Sequence, residues 1–156
     1  PDYPLLRFQF RFSGLTANMY GDSITMSGSL SLDLARSPRT LNMNMRIRYN
    51  GENLVYWVRN YQIRMYEGFQ YVEIEASGRF YHPEHGYVAL NTESPIRVYE
   101  GDVYPSAGIL VVTGAEGTSA RLTVISNITF TIEADTDGNG YYDDGYFREF
   151  YWTDVN

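Results

Sequence analysis

Ile24-Thr25-Met26-Ser27-Gly28-Ser29-Leu30-Ser31-Leu32-Asp33-Leu34 alternates apolar and polar residues over eleven positions. Successive side chains of a strand point to opposite faces, so this stretch places one face in a core and the other in water. A helix of the same composition would scatter its apolar residues around the axis. The segment is therefore a strand.

The same period recurs on both sides of it. Phe8, Phe10 and Phe12 alternate with Arg7, Gln9 and Arg11, which makes Leu5 to Phe12 a strand. Leu41, Met43, Met45, Ile47 and Tyr49 alternate with Asn42, Asn44, Arg46 and Arg48. Ser37-Pro38-Arg39 separates the second strand from the third, and Asn50-Gly51-Glu52-Asn53 is a hairpin signal. Residues 54–66 and 69–81 read as long strands joined at Glu67-Gly68, the second ending in the loop His82-Pro83-Glu84-His85-Gly86. Short strands follow at 87–91 and 95–99. Pro95 marks an edge or a strand start, because it has no N–H for a ladder.

Residues 100–107 break the pattern and read as a crossing between two sheets or layers. Strands resume at 108–113, 119–126 and 128–134, and Tyr141 to Trp152 supplies a closing aromatic strand. About ten strands with no helical period predict an all-β fold. The expected form is a single domain over residues 1–156, an antiparallel β-sandwich, with a meander curled into a barrel as the alternative.

Composition narrows the function classes. A chain of 156 residues with 44% apolar content is long enough and apolar enough to bury a core. It has no cysteine, which removes disulfides, thiolate metal sites and cysteine nucleophiles. All 12 basic residues are arginine, against 19 acidic ones, for a net charge of −7. Such a chain repels a phosphate backbone, so no nucleic-acid partner is expected. Guanidinium groups fork onto carboxylates and stack on rings. Lysine-free composition thus fits a surface built to pair and pack, although lineage bias produces the same composition. The 15 tyrosines suit half-buried strands and contact surfaces. No apolar run reaches the roughly 18 residues of a membrane helix, so the chain is not expected to span a membrane by one. The first residue is Pro1, and a removed signal segment would explain that.

One stretch carries defined chemistry. Asp135-Thr136-Asp137-Gly138-Asn139-Gly140-Tyr141-Tyr142-Asp143 sets Asp135, Asp137 and Asn139 at positions one, three and five of a calcium-type loop. Gly140 falls at six, the Tyr141 carbonyl at seven and Asp143 at nine. Position twelve is Tyr146 where an EF-hand has glutamate, and the flanks are strands. The expectation is a calcium-bearing β-hairpin loop closed by Asp143, Asp144 or Glu149, with a structural ion. A tight acidic turn is the plainer alternative, since hairpins also favour Asp, Asn and Gly.

Other clusters point less far. His82, Glu84 and His85 lie in a loop that supplies no further assignable ligand for a transition metal. Glu73 and Glu75 lie two apart on one strand, where arginines such as Arg46, Arg48 or Arg64 would pair with them. No G-x-S-x-G motif and no Schiff-base lysine is present, so no enzyme is expected. Asn127-Ile128-Thr129 matches a glycosylation sequon.

The succession His85-Gly86-Tyr87-Val88, then Pro105-Ser106-Ala107-Gly108-Ile109-Leu110-Val111-Val112-Thr113-Gly114-Ala115, then Ser119 to Val124, then Glu133 to Gly140 resembles a family pattern. It is similar to exported or lipid-anchored β-domain proteins of Gram-negative bacteria that carry a PxxGxLxVTGAxG segment before a D-x-D-G-[DN]-G turn. The resemblance covers roughly residues 80–144 and implies an extracytoplasmic β domain with no attached activity. The chain departs from that group in having no cysteine for a lipid anchor and in its higher arginine and tyrosine content. Together these features predict a structural or assembly module of the bacterial envelope or exterior, with a protein partner or copies of itself. Its edge strand at Leu5 to Phe12 would add to a neighbour's sheet. The second reading is a calcium-dependent carbohydrate-binding domain, which solvent-facing aromatics around Tyr56, Trp57 or Tyr141 would favour and interdigitated core aromatics would weaken.

Overall fold

The structure, a computed structural model, describes residues 6–19 and 21–155. Ten strands follow one another: β1 (Arg7–Met19), β2 (Asp22–Asp33), β3 (Arg39–Tyr49), β4 (Leu54–Glu67), β5 (Tyr71–His82), β6 (Gly86–Tyr99), β7 (Ala107–Thr113), β8 (Ser119–Val124), β9 (Thr129–Asp135) and β10 (Arg148–Tyr151). They form one antiparallel sheet in sequence order, so every connection is a hairpin. β1 and β10 are its two edges, and the sheet does not close into a barrel. The all-β reading and the strand count hold.

Register carries the alternation from strand to strand. Phe10 sits opposite Leu30, Leu30 opposite Met43 and Met43 opposite Tyr61. Farther along, Leu110 faces Leu122, Leu122 faces Ile132, and Val124 faces Phe130. One face of the sheet is thus apolar across its width. The other is a ladder of Ser, Thr, Asn, Arg and Glu. On it Arg64 pairs with Glu75 at 3.3 Å, and Arg97 with Glu73 and Arg121 with Glu133 at 2.5 Å each. Each of these pairs is a directly opposite cross-strand pair.

The sheet bends where its ladder is interrupted. Register shifts fall in β1 between Phe12 and Leu15, in β4 between Arg59 and Gln62, and in β6 around Ser94. Bulges of this kind increase local twist. Gly108 (φ 131°) lies on the apolar face, and a Cβ there would stand 2.6 Å from the Cα of Ile96. Gly78 stands in the same relation to the Cα of Tyr61, at 2.7 Å. Neighbouring backbones approach closely at these glycines, which is how a sheet is curved.

Four sequence expectations change. Residues 100–107 do not separate two hydrogen-bonded sheets. β6 and β7 pair with each other on either side of them, and the Ser106 N–H donates to the Arg97 carbonyl at 2.8 Å. The two short strands expected at 87–91 and 95–99 are one strand, with Pro95 accommodated in a bulge where the ladder to β7 is already broken. The closing strand is four residues long, because 141–147 belongs to the acidic loop and a 3-10 turn. In the expected edge strand Leu5 lies outside the described residues, and β1 runs on past Phe12 to Met19.

Burial is sparse for a chain of this size. Among the described residues, the buried apolar side chains are Ile24, Val124 and Phe130. Phe130 anchors the best-packed corner, stacked on Phe150 at 5.4 Å and against Trp152 at 4.3 Å. The Trp152 indole N–H donates to the Ser126 carbonyl at 3.2 Å. Elsewhere Phe8, Phe10, Leu15 and Phe80 are exposed on the apolar face.

Candidate metal loop and its surroundings

β9 ends at Asp135, and the chain then turns through 136–143 before returning as β10. Asp135 is 2% exposed and acts as the hub of this turn. Its Oδ1 accepts the N–H of Gly138 at 2.8 Å and of Asn139 at 3.2 Å, and its Oδ2 accepts the N–H of Gly140 at 2.9 Å. Gly138 (φ 73°) and Gly140 (φ 87°) supply the left-handed backbone that aims three consecutive N–H groups inward. Gly138 also lies against the β7–β8 turn, where a Cβ would strike the Glu116 carbonyl. These residue types at this spacing build the turn from within.

The remaining members face outward. Asp137 Oδ1 accepts the Asn139 N–H at 3.1 Å, and Asn139 Oδ1 accepts the Tyr141 N–H at 2.8 Å. Asp143 closes the loop: its N–H donates to the Ala134 carbonyl at 2.8 Å. Its Oδ2 accepts the Thr136 hydroxyl at 2.7 Å and the Thr136 N–H at 2.9 Å. The Thr136 hydroxyl and N–H hold the Asp143 carboxyl below its ordinary value, with partial burial opposing them. Tyr141 is 79% exposed. Asp144 lies in the following 3-10 turn, and Glu149 sits in β10 opposite Thr131.

The donor set matches a hard cation in kind. An ionised carboxylate offers about four lone-pair sites, so Asp137 and Asp143 keep acceptor capacity after their hydrogen bonds. In position the carboxylates are spread. Among the described residues, the group of three or more acidic or imidazole side chains with ligand atoms within 4.8 Å of one another is His82, Glu84 and His85. Asp135, Asp137 and Asp143 do not converge that closely, and an ion would draw the loop tighter.

The His82 group is brought together by the β5–β6 hairpin. The two imidazoles stack at 4.5 Å, and His82 meets the Tyr56 ring edge-on at 5.0 Å. His82 Nδ1 accepts the Glu84 N–H at 3.2 Å, which gives that nitrogen a backbone partner. No fourth acidic or imidazole ligand joins them among the described residues.

Glu73 and Glu75 each stand opposite an arginine of a neighbouring strand. They are taken by Arg97 and Arg64, and not by Arg46 or Arg48. Arg97 also covers the Tyr71 ring at 4.6 Å and Arg121 the Tyr142 ring at 4.4 Å. Asn127 of the sequon is exposed and donates to Asp102 at 3.0 Å.

A second cluster was not legible as a site. Trp57, Tyr81 and Tyr87 form one cross-strand row on the polar face, with Arg59 and Arg79 in the adjacent row. They border a cavity of about 180 Å³. The sequence signal was present as W-x-R in β4 and R-x-Y in β5, but the register was needed to set the two opposite each other.

Comparison with protein-family models, with curated proteins and with solved structures finds no match to this chain.

Proposed function

We propose that this chain is a non-catalytic, extracytoplasmic structural module that works by assembly, covering its apolar sheet face with another protein surface, in the simplest case a second copy. The observation that carries the reading is surface area. The chain exposes 10767 Å², whereas a compact monomer of 17.9 kDa exposes about 8,000 Å². The difference is about a third and belongs to one chain; covered by a second copy it would bury about twice that area in all, at the upper end of the interfaces that hold obligate complexes, roughly 2,000–5,000 Å² and beyond. A cleft of about 560 Å³ between β4, β5 and β6, lined by Met65, Tyr71, Ile74 and Val98, adds apolar surface to be filled. The free edge of β1 offers a ladder for strand addition.

The 135–143 loop acts in this reading as a calcium-held clasp on the last hairpin, with Asp135, Asp137, Asn139, the Tyr141 carbonyl and Asp143 as its ligands. Support comes from the alternating oxygen donors and from Asp135, which already folds the loop around itself. The extracytoplasmic location rests on the family resemblance and on the calcium such compartments supply.

Light scattering coupled to size exclusion tests the proposal. The native chain is expected to run as a dimer or larger. Phe10→Arg, on the exposed apolar side of β1, is expected to shift it toward monomer with little loss of secondary structure. A native chain that stays monomeric up to millimolar concentration, without binding apolar dyes, sinks the reading.

A further inference from the structure

We infer that the polar face of β4, β5 and β6 carries a calcium-independent binding site for an acidic oligosaccharide, one whose sugar rings bear carboxylates.

The site is built by register. Trp57 faces Tyr81, and Tyr81 faces Tyr87, so three rings stand in a row across three strands. All three are exposed, at 44%, 42% and 51%. Two residues along, Arg59 faces Arg79 directly. Like charges at directly opposed positions destabilise a sheet. Every ion pair of a described arginine on this protein involves Arg7, Arg39, Arg64, Arg97 or Arg121. Arg59 and Arg79 therefore keep their charge uncompensated by any described carboxylate within 4.0 Å. They lie instead over rings, Arg59 at 5.4 Å from Trp57 and Arg79 at 5.8 Å from Tyr87. The bulge after Arg59 brings Asn60 to φ 50°, with its N–H donating to Asn44 Oδ1 at 2.8 Å, and this fixes the strand where the arginine emerges. Arg46, opposite Trp57, adds a third cation without a described carboxylate partner.

An anion between Arg59 and Arg79 removes the repulsion, and two guanidinium forks take a carboxylate in a bidentate manner. The rings beside them offer flat apolar faces to the C–H side of a sugar. The cavity of about 180 Å³ is smaller than the roughly 300–1,000 Å³ of pockets that enclose a whole small molecule. It suits one sugar unit of a chain that continues along the row. A nucleic acid strand would also stack and pair here. It carries a charge on every nucleotide, however, and a strand that follows the rings from β4 toward β6 enters the acidic part of the chain. Residues 67–156 hold 4 arginines against 15 acidic residues, while residues 1–66 hold 8 against 4. The site differs from the calcium-dependent sugar reading of the sequence, because β5 to β8 separate Trp57 from the acidic loop in the ladder.

Isothermal titration of the intact chain with oligogalacturonate, in EGTA, tests the inference. Maltohexaose and oligo-dT serve as comparison ligands. Oligogalacturonate is expected to bind at least tenfold more tightly than either. Arg59→Ala with Arg79→Ala, and separately Trp57→Ala, are expected to weaken it at least tenfold at an unchanged oligomeric state, and the double arginine variant, relieved of its facing charges, is expected to melt no lower than the native chain. Arg59→Lys with Arg79→Lys is expected to retain part of the affinity, which separates lost charge from a damaged fold. No binding at millimolar oligogalacturonate, tighter binding of oligo-dT, or affinity indifferent to the arginine changes would overturn it. Light scattering on the same samples reports assembly independently, so failure of one reading leaves the other standing.

Discussion

Replacing Asp135 with alanine removes a buried carboxylate on which three backbone N–H groups converge. The bonds from Gly138 and Gly140 are 2.8 and 2.9 Å long, and that from Asn139 is 3.2 Å and shared with Asp137. A hydrogen bond to a charged acceptor contributes roughly 1.5–3 kcal/mol. The third bond is weak, and the N–H groups of Asn139 and Gly140 lie in exposed residues and find water once released. Two bonds at the low end of the range therefore set the loss, at about 3 kcal/mol. For a domain of this size each kcal/mol lowers Tm by roughly 2–4 °C, so a fall of about 6–12 °C is expected. Urea and thermal unfolding in EGTA measure it without any metal contribution. Asp135→Asn keeps the volume but turns one oxygen into a donor facing a donor, and about half the loss or more is expected. Asp137→Ala, which removes an exposed acceptor within the same loop, is expected to cost less than about 0.5 kcal/mol in EGTA. If Asp135→Ala unfolds within about 1 kcal/mol of the native chain, the carboxylate does not hold the loop.

Other outcomes follow from the same geometry. Calcium in excess of EGTA is expected to raise Tm in a concentration-dependent way, the native chain gaining about 2.7 kcal/mol of stability at a hundredfold excess over Kd. Magnesium is expected to do much less, and Asp137→Ala to abolish the effect; equal shifts from both ions would count against a calcium loop. Gly108→Ala places a methyl group against the Cα of Ile96, so a loss of about 1–3 kcal/mol is expected, read as a lower urea midpoint; an unchanged midpoint would mean the sheet has room to part. The Asp143 carboxyl lies below its ordinary 3.8 because Thr136 donates to it twice. Its contribution is complete above that value and is lost as pH falls through the lowered one, since the unfolded chain takes up its proton first. A carboxyl titration by NMR checks this, and Thr136→Val is expected to move the value back up; no movement would assign the shift elsewhere.

Much of the fold was legible because a strand records its two faces in alternate residues. Phe8 to Phe12, Ile24 to Asp33 and Leu41 to Tyr49 each state which residues share a side, and the structure keeps those assignments. The hairpin turns were equally plain where Asn-Gly or Glu-Gly interrupts the period. Boundaries were less so. Pro95 suggested a strand end, yet β6 continues through it, because a bulge frees that position from the ladder. The aromatic run Tyr141 to Phe147 suggested a strand, yet the bond from the Asp143 N–H to Ala134 keeps it in the loop.

The acidic loop lies between these cases. Its turn was written into Asp135, Gly138 and Gly140, since a carboxylate followed by left-handed glycines collects nearby N–H groups without outside help. That it contacts the β7–β8 turn through Gly138 depended on how the strands align.

By itself the sequence determined a lysine-free, all-β chain with one apolar and one polar face and a self-organised acidic turn. These properties are local, set by residue type and period. Only the tertiary structure decided that the ten strands run as one unclosed sheet, that Glu73 and Glu75 belong to Arg97 and Arg64, and that Arg59 confronts Arg79 beside three exposed rings. Those facts depend on register between strands, and a shift of one residue, which no single strand records, would exchange every partner.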